Sequence, residues 1–485
     1  MQNRHFLLLN FDREKKASSR GDEQNLCKNQ VLSTSKSIVV REVLESNFKN
    51  ISSDNNANYV PTVGRWGNSN VVHLNGFQSA LCNQHCDEPG QLTCLSEQLR
   101  NCSLSKWTID EDNYNVNAFG QCEGAWPIAH PLPLPIWSNS KKEPLVIDNM
   151  WQYEDMVGLI EVILHRMLEE THYDTINNFI EFYNCYKNSE SNYLREFYQT
   201  YTPPINRRHH MCVSLAMEIV HRLGEVCPQL NEHLYLVSCE EAVESIQQYI
   251  SNCNHLSIDN AMYNLEKEHS LVAMRIQVTG RHGILLLDPG YHVARAITVM
   301  KDQCYPHTGW FTQSQEPHLK REYKYSLLND DFIEWNERTT RGQQQTHDTS
   351  LIYVKTPYRT AIDVTVRRNL VYNFRSLLSR TGKGRVCAGI YFPITENCDS
   401  TFTLFYDGSN GQSIKLKSKF DAFVDEQEIT ETTMNHLEQL AAQINLPKKD
   451  LCVLLKTLSG IMMDRDYIKQ LLEINDHITA MSADN

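Results

Sequence analysis

Helical spacing comes first in this chain and strand spacing follows it, and that order limits the fold more than any other feature. MVGLIEVILHRMLEE places Met156, Ile160, Ile163, Leu164, Met167 and Leu168 on one helical face. TINNFIEFYNCY continues in the same way, and TPP breaks it. A third helix opens at Cys212, with Val213, Ala216, Ile219, Val220 and Leu223 on one side, Gly224 as a stop and Pro228 beyond it. HLYLV then reads as a strand, and SLVAMRIQV and GILLLDPGYHV flank TGRH as a hairpin. HLKREYKYSL, DFIEWNERT and TSLIYVKTP extend the strand run. VRRNLVYNFRSLL is predicted as a helix. GRVCAGIYFPI, STFTLFYD and QSIKLK form a second strand group, and the stretch from TMNHLEQ to LLEIND is helical again. This is not the alternation of a doubly wound parallel sheet. It predicts an α+β fold: a helical lobe packed on an antiparallel β-sheet or barrel, with C-terminal helices.

Residues 1–145 have a different character. ISSDNNANYVPTVGRWGNSNVV is rich in Asn, Ser and Gly, a composition that buries too little apolar surface to offset the entropy of ordering. A largely disordered tail is expected, ending in a linker, HPLPLPIW, that runs extended and docks onto the adjoining helical lobe. Trp66, Trp107 and Trp126 are candidate docking anchors on the chain's own core or on a partner. The main domain is expected over 146–400, with a C-terminal strand pair and helices over 401–485. Cys82, Cys86, Cys94 and Cys102 lack the tight knuckle spacing of a zinc ribbon and read as free thiols.

The formal net charge of −13 opposes broad binding to nucleic acid or anionic membranes. The arginines between 367 and 385 are the exception: RRNLVYNFRSLLSR reads as a helix with a solvated basic face. No segment reaches the apolar length of a membrane span, and MQNRHFLLLNFDREKK has too short an apolar core for a secretory signal. The chain is therefore expected in the cytosol or nucleus, with its 15 cysteines mostly as free thiols.

A reactive thiol needs a stabilised thiolate, a base within reach, and a third group to orient the base. Cys212 lies where a helix begins, which favours negative charge, and Arg207 and Arg208 precede it. His269 heads the first hairpin strand and Asp288 ends the second. Both lie at the end far from the TGRH turn, which makes them neighbours on adjacent strands. His282 is in the turn itself and is set aside; His292 is a weaker competitor for the role of base. The ordinary readings stand beside this one: a core cysteine, a turn aspartate in DPG, and solvated loop histidines at 209 and 210.

Over about residues 150 to 400 the chain resembles the arylamine N-acetyltransferases, within the wider papain-like and transglutaminase-like group with Cys-His-Asp triads. RHHMCVS is similar to the family's cysteine motif, with Arg208 and Cys212 at the matching positions. EHSLV is similar to its histidine motif, giving His269, and DPGYH to its aspartate motif, giving Asp288, Gly290 and Tyr291. His209 and His210 stand where the family has two glycines, and Ser214 where it has a glutamate. The resemblance implies Cys212, His269 and Asp288 as catalytic residues, with Arg208, His209, His210, Gly290 and Tyr291 adjoining the site. It implies acetyl-CoA or another acyl-CoA as donor, no metal, and ping-pong acyl transfer to an amine, or hydrolysis when water accepts. The alternatives are a catalytically inactive scaffold that binds proteins through its tail or C-terminal helices, and a cysteine protease or transglutaminase-like enzyme.

Overall fold

The structure is a computed structural model that describes residues 126, 127, 130–205, 211–254, 266–396, 400–409, 411–424 and 429–482. The expectations for the tail up to residue 125, including its four cysteines, Trp66 and Trp107, lie outside these residues.

The linker is docked along its length. Trp126 sets its ring edge-on to Tyr198 at 5.7 Å, and the Arg367 guanidinium lies 5.0 Å above it. Further on, the Ile136 N–H donates to Thr360 Oγ1 at 2.8 Å, and Trp137 stacks on Tyr358 at 5.4 Å. Trp126 therefore anchors on the chain's own core.

The elements run in chain order. β1 (Leu145–Ile147) leads into α1 (Met150–Glu170), whose first turn is capped by the Asn149 side chain accepting from the Gln152 N–H. Then come β2 (Tyr173–Asp174), α2 (Asn177–Lys187), α3 (Leu194–Thr200) and α4 (Cys212–Val226). Gly224 does not stop α4, which runs two residues further towards Pro228. β3 (Leu234–Glu240) and α5 (Ile246–Asn254) precede the hairpin β4 (His269–Val278) and β5 (Arg281–Leu287). Thr279 and Gly280 join these two strands with φ of 50° and 78°. Two left-handed residues make the turn that matches strand twist, and glycine takes that conformation without a Cβ clash.

β6 (Ile297–Met300), β7 (Phe311–Glu316), β8 (Leu319–Leu327), β9 (Phe332–Arg341) and β10 (Gln344–Tyr353) complete a nine-stranded sheet. Its order is β6-β5-β4-β3-β10-β9-β8-β7, antiparallel throughout, with β1 added parallel to β4. The sheet curls into a half-barrel that brings β6 against β8. Its concave face holds one continuous core that includes Val237, Leu271, Leu286, Tyr323, Tyr325, Ile333, Trp335 and Ile352. α4 packs on the opposite face of β3 and β4, so β4 is buried on both sides for most of its length. α4 itself is buried from Cys212 through Val220. Each fully buried Leu, Ile or Val on it contributes about 1.5–3 kcal/mol.

A charged clamp fixes α4 to α1. Arg222 donates through Nε to Glu218 and through Nη1 to Glu170, both at 2.7 Å, and Glu170 also takes Arg166 at 2.7 Å. Arg222 and Glu218 are buried. Arg222→Ala leaves a buried carboxylate without its cation and is expected to cost about 3–5 kcal/mol of stability, read as a fall in the urea midpoint.

Beyond β10 a π-helical turn runs into α6 (Arg367–Val371), and the chain then turns into β11 (Phe374–Arg380). The helix expected over VRRNLVYNFRSLL thus ends at Val371, and FRSLLSR is a strand. β11 belongs to a second sheet of order β14-β13-β12-β11-β2, with β12 (Val386–Pro393), β13 (Thr401–Asp407) and β14 (Ser413–Lys419). The expected boundary near residue 400 falls between two strands that pair with each other. α7 (Glu431–Gln443) covers β12 and β13, α8 (Lys448–Met463) packs on α2, and α9 (Arg465–Thr479) packs on α3 and α6. The architecture is α+β, and no helix among the described residues is long and apolar enough to cross a membrane.

The basic face expected around 367–380 does not exist. Arg367, Arg368, Arg375 and Arg380 are all buried. Arg368 pairs with Glu266, while Arg375 donates to the Asn369 and Leu370 carbonyls under the Phe179 ring. Only Arg385, at the following turn, has a largely exposed side chain, and it pairs with Asp407 at 2.6 Å.

Candidate active site

α4 begins at Cys212. Met211 ahead of it is extended, with φ −86° and ψ −179°, and its side chain makes no cap. The positive end of the helix dipole is therefore presented at Cys212.

The hairpin supplies the other two groups. The β4–β5 ladder runs from Val278 opposite Arg281 to Val272 opposite Leu287, which leaves His269 and Asp288 at the end away from the turn. His269 Nε2 stands 3.1 Å from each Asp288 carboxylate oxygen. Cys212 hydrogen-bonds the same ring, for which Nδ1 remains. The three side chains are 4%, 2% and 0% exposed in the order Cys212, His269, Asp288.

Gly290 decides how closely these elements approach. A Cβ at this position would lie 2.9 Å from the Cys212 Cβ and 3.0 Å from His269 Cε1. Both contacts are shorter than any side chain tolerates, so glycine is what allows α4 and β4 to meet. Tyr291 closes the loop: its N–H donates to Asp288 Oδ1 at 3.1 Å and its ring stands edge-on to His269 at 4.7 Å. Its hydroxyl donates to Glu241.

Burial opposes the imidazolium, but the Asp288 carboxylate, with Cys212, outweighs it and holds His269 well above its usual value. Burial pushes the Tyr173 phenol well up, with Cys212 and Glu241 adding to the effect. Glu268 is also held well above the carboxylate range, by burial and then by Glu266, Glu240 and Glu241 around it. Cys227 is pushed to about 11 by burial, and Cys239 well up by the same cause.

The approach to His269 is pinned from both sides. Glu240 accepts the Glu266 N–H at 3.1 Å and Lys267 Nζ at 2.7 Å. Thr365 Oγ1 donates to the Lys267 carbonyl at 2.6 Å. Lys267 has φ 48°, a conformation that costs about 1–3 kcal/mol and persists only where surrounding contacts enforce it.

Arg380 braces the Asp288 loop from the second sheet. Nη1 donates to the Pro289 carbonyl at 3.0 Å, and Nη2 to the Thr171 carbonyl and hydroxyl at 3.1 and 2.8 Å. Burial lowers this guanidinium to about 9. Arg380→Met is expected to cost about 3 kcal/mol, because buried carbonyls lose charged donors, and to lower the Tm measurably.

Among the residues singled out from sequence, the structure brings together Cys212, His269, Asp288, Gly290 and Tyr291. Arg208, His209 and His210 lie outside the described residues. His282 is exposed at the far end of the hairpin. His292 does not compete as base: its Nδ1 faces Arg380 Nη1 at 3.4 Å. Sequence reasoning missed Glu241, Tyr173 and Arg380. Only Glu241 left a trace, as an acidic pair closing the strand LYLVSCE.

Fold and cluster together define an α+β protein with a buried cysteine, histidine and aspartate in hydrogen-bonded order. No protein-family model, curated protein or solved structure matches the chain.

Proposed function

We propose that the chain is a cysteine-dependent acyltransferase, with Cys212 as nucleophile, His269 as base and Asp288 as orienting carboxylate. The observation that supports this reading best is the His269 ring, held by Asp288 through Nε2 and hydrogen-bonded to Cys212. The Cys212 sulfur attacks an acyl donor, forming an S–C bond as the carbonyl π pair moves to oxygen. The oxyanion faces the uncapped N–H groups at the start of α4. His269 gives its proton to the leaving group as the tetrahedral adduct collapses to the thioester. It then takes a proton from an incoming amine or water, which displaces the sulfur. An amine acceptor makes the protein a transferase and water makes it a hydrolase. The finer assignment, an arylamine N-acetyltransferase-like member of the papain-like group using an acyl-CoA, is part of this proposal and rests on the motif resemblance.

A second reading has its own support. Cys212 and His269 are nearly closed off from solvent, as in a scaffold that keeps the cluster for packing and binds other proteins elsewhere. The full-length chain is mixed with p-nitrophenyl acetate and its peptides are mapped by mass spectrometry. The enzyme reading expects a burst of p-nitrophenolate and an acetyl group on the Cys212 peptide. Absence of both, in protein that melts cooperatively, favours the scaffold.

A further inference from the structure

Inside the half-barrel, four buried polar atoms have no hydrogen-bond partner among the described residues: the Tyr323 and Tyr325 hydroxyls, Trp335 Nε1 and Gln313 Oε1. Three of them belong to one ring cluster. Trp335 lies 5.1 Å from Tyr323, 5.7 Å from Tyr325 and 4.7 Å from Tyr291, the residue that touches His269. Phe311 completes the cluster, and its spacings to Tyr323 and Tyr325, 6.1 and 6.3 Å, are wide for ring contacts.

Gln313 is brought in by an irregularity. Thr312 pairs with Glu322 and Ser314 with Arg321, so Gln313 is the extra residue of a bulge in β7. Bulges re-aim side chains, and they are common beside functional sites. Gln313 Nε2 donates to the Tyr291 carbonyl at 3.1 Å, tying the bulge to the Asp288 loop. Phe311 and Gln313 are half-buried, so the cluster reaches the surface at the β7 edge.

Native interiors satisfy such groups, with an ordered guest where the protein itself does not. The chemistry of the guest can be read from the four atoms. Indole N–H only donates, an amide oxygen only accepts, and a phenol does either. Burial holds both phenols well above their usual range, with Asp288 and Glu337 adding to it, so they stay neutral. The same carboxylates oppose an anion, and Arg321 is already paired with Glu337 at 3.1 Å.

We propose that Tyr323, Tyr325, Trp335 and Gln313 line an internal site for a small, neutral guest that both donates and accepts hydrogen bonds. Water and the primary amide or hydroxyl of a small compound share that chemistry. The site stands independently of whether Cys212 reacts.

The test uses the full-length chain. Tyr323→Phe and Tyr325→Phe change no ring packing and remove one hydroxyl each. With a guest bound, either change lowers the Tm; with none, the change removes an unsatisfied group, and the Tm holds or rises. Acetamide is then titrated into protein labelled with 5-fluorotryptophan, with Trp335→Phe identifying the resonance. A lower Tm with a saturable Trp335 shift supports the site, with amide compounds as guests. A lower Tm without a shift, and an ordered water on these groups in a crystal structure, supports it with water as the guest. A Tm unchanged or raised in both variants overturns the proposal, as does a crystal structure in which both phenols bond to protein atoms.

Discussion

Alanine at position 269 is expected to abolish iodoacetamide labelling of Cys212 at pH 6 and to slow acyl transfer by about 10²–10⁴-fold. An ordinary free thiol, with a pKa of about 8.5, reacts slowly at that pH. The reaction therefore depends on an imidazolium beside the sulfur, and His269 is the ring placed there. Peptide mapping separates this signal from the other thiols. Burial pushes Cys227 to about 11 and raises Cys239 and Cys387, so these stay silent at pH 6. Alanine leaves the Asp288 carboxylate buried without its partner, so His269→Gln and Asp288→Asn serve as milder controls. Undiminished labelling of Cys212 in folded His269→Gln protein would defeat the ion-pair mechanism. The same group sets a pH dependence of stability. Its folded-state value is raised above the ordinary value of about 6.5. Its stabilising contribution is thus fully present below about 6.5 and is lost as pH rises through the raised value. Chemical denaturation should show wild type weakening on the alkaline side, with His269→Gln flatter over the same range.

Gly290→Ala is expected to remove reactivity with only a modest change in stability. The backbone at Gly290 is not in the left-handed region, so alanine meets no conformational barrier. The obstacle is steric: the new methyl group would press on the Cys212 Cβ and backbone and on the His269 ring. Neither can move far, because α4 is packed against β4 and the ring is held by Asp288. Relief must come from α4 and the loop separating by a few tenths of an ångström. Overpacking of this kind costs about 1–3 kcal/mol, whereas the thiol–imidazole hydrogen bond is steeply sensitive to distance. The prediction is a loss of low-pH labelling of at least tenfold, with a cooperative melt retained. Equal labelling in the variant would mean that sulfur and ring are not coupled through this contact.

The relation between His269 and Asp288 was legible because a two-residue turn fixes register. Once Thr279–Gly280 is read as the turn, the strand ends become neighbours by counting. Cys212 was legible as a helix start because TPP and the apolar spacing bracket it. The arginines were not legible. Whether Arg375 or Arg380 faces water depends on carbonyls at 369, 370, 289 and 171, which are set by tertiary packing rather than by local spacing. The strand 374–380 was misread for a related reason: LVYNFRSLL carries helical spacing, and only its pairing with β12 and β2 selects the extended form. Glu241 and Tyr173 enter the site through tertiary contact, and no local periodicity announces that.

The sheet order has a mechanical consequence. β4 to β6 form one meander and β7 to β10 another, each knit by neighbours in sequence, while β3 alone spans the gap through three residue pairs with β10. Bringing together strands so distant along the chain costs loop entropy before contacts repay it. The β3–β10 seam should therefore form late and open first, and amide exchange along 238–240 and 351–353 would report it. Because Cys239 sits opposite His269 on the other edge of β3, such opening loosens the shelf beneath the imidazole while the hairpin that aligns it with Asp288 stays intact.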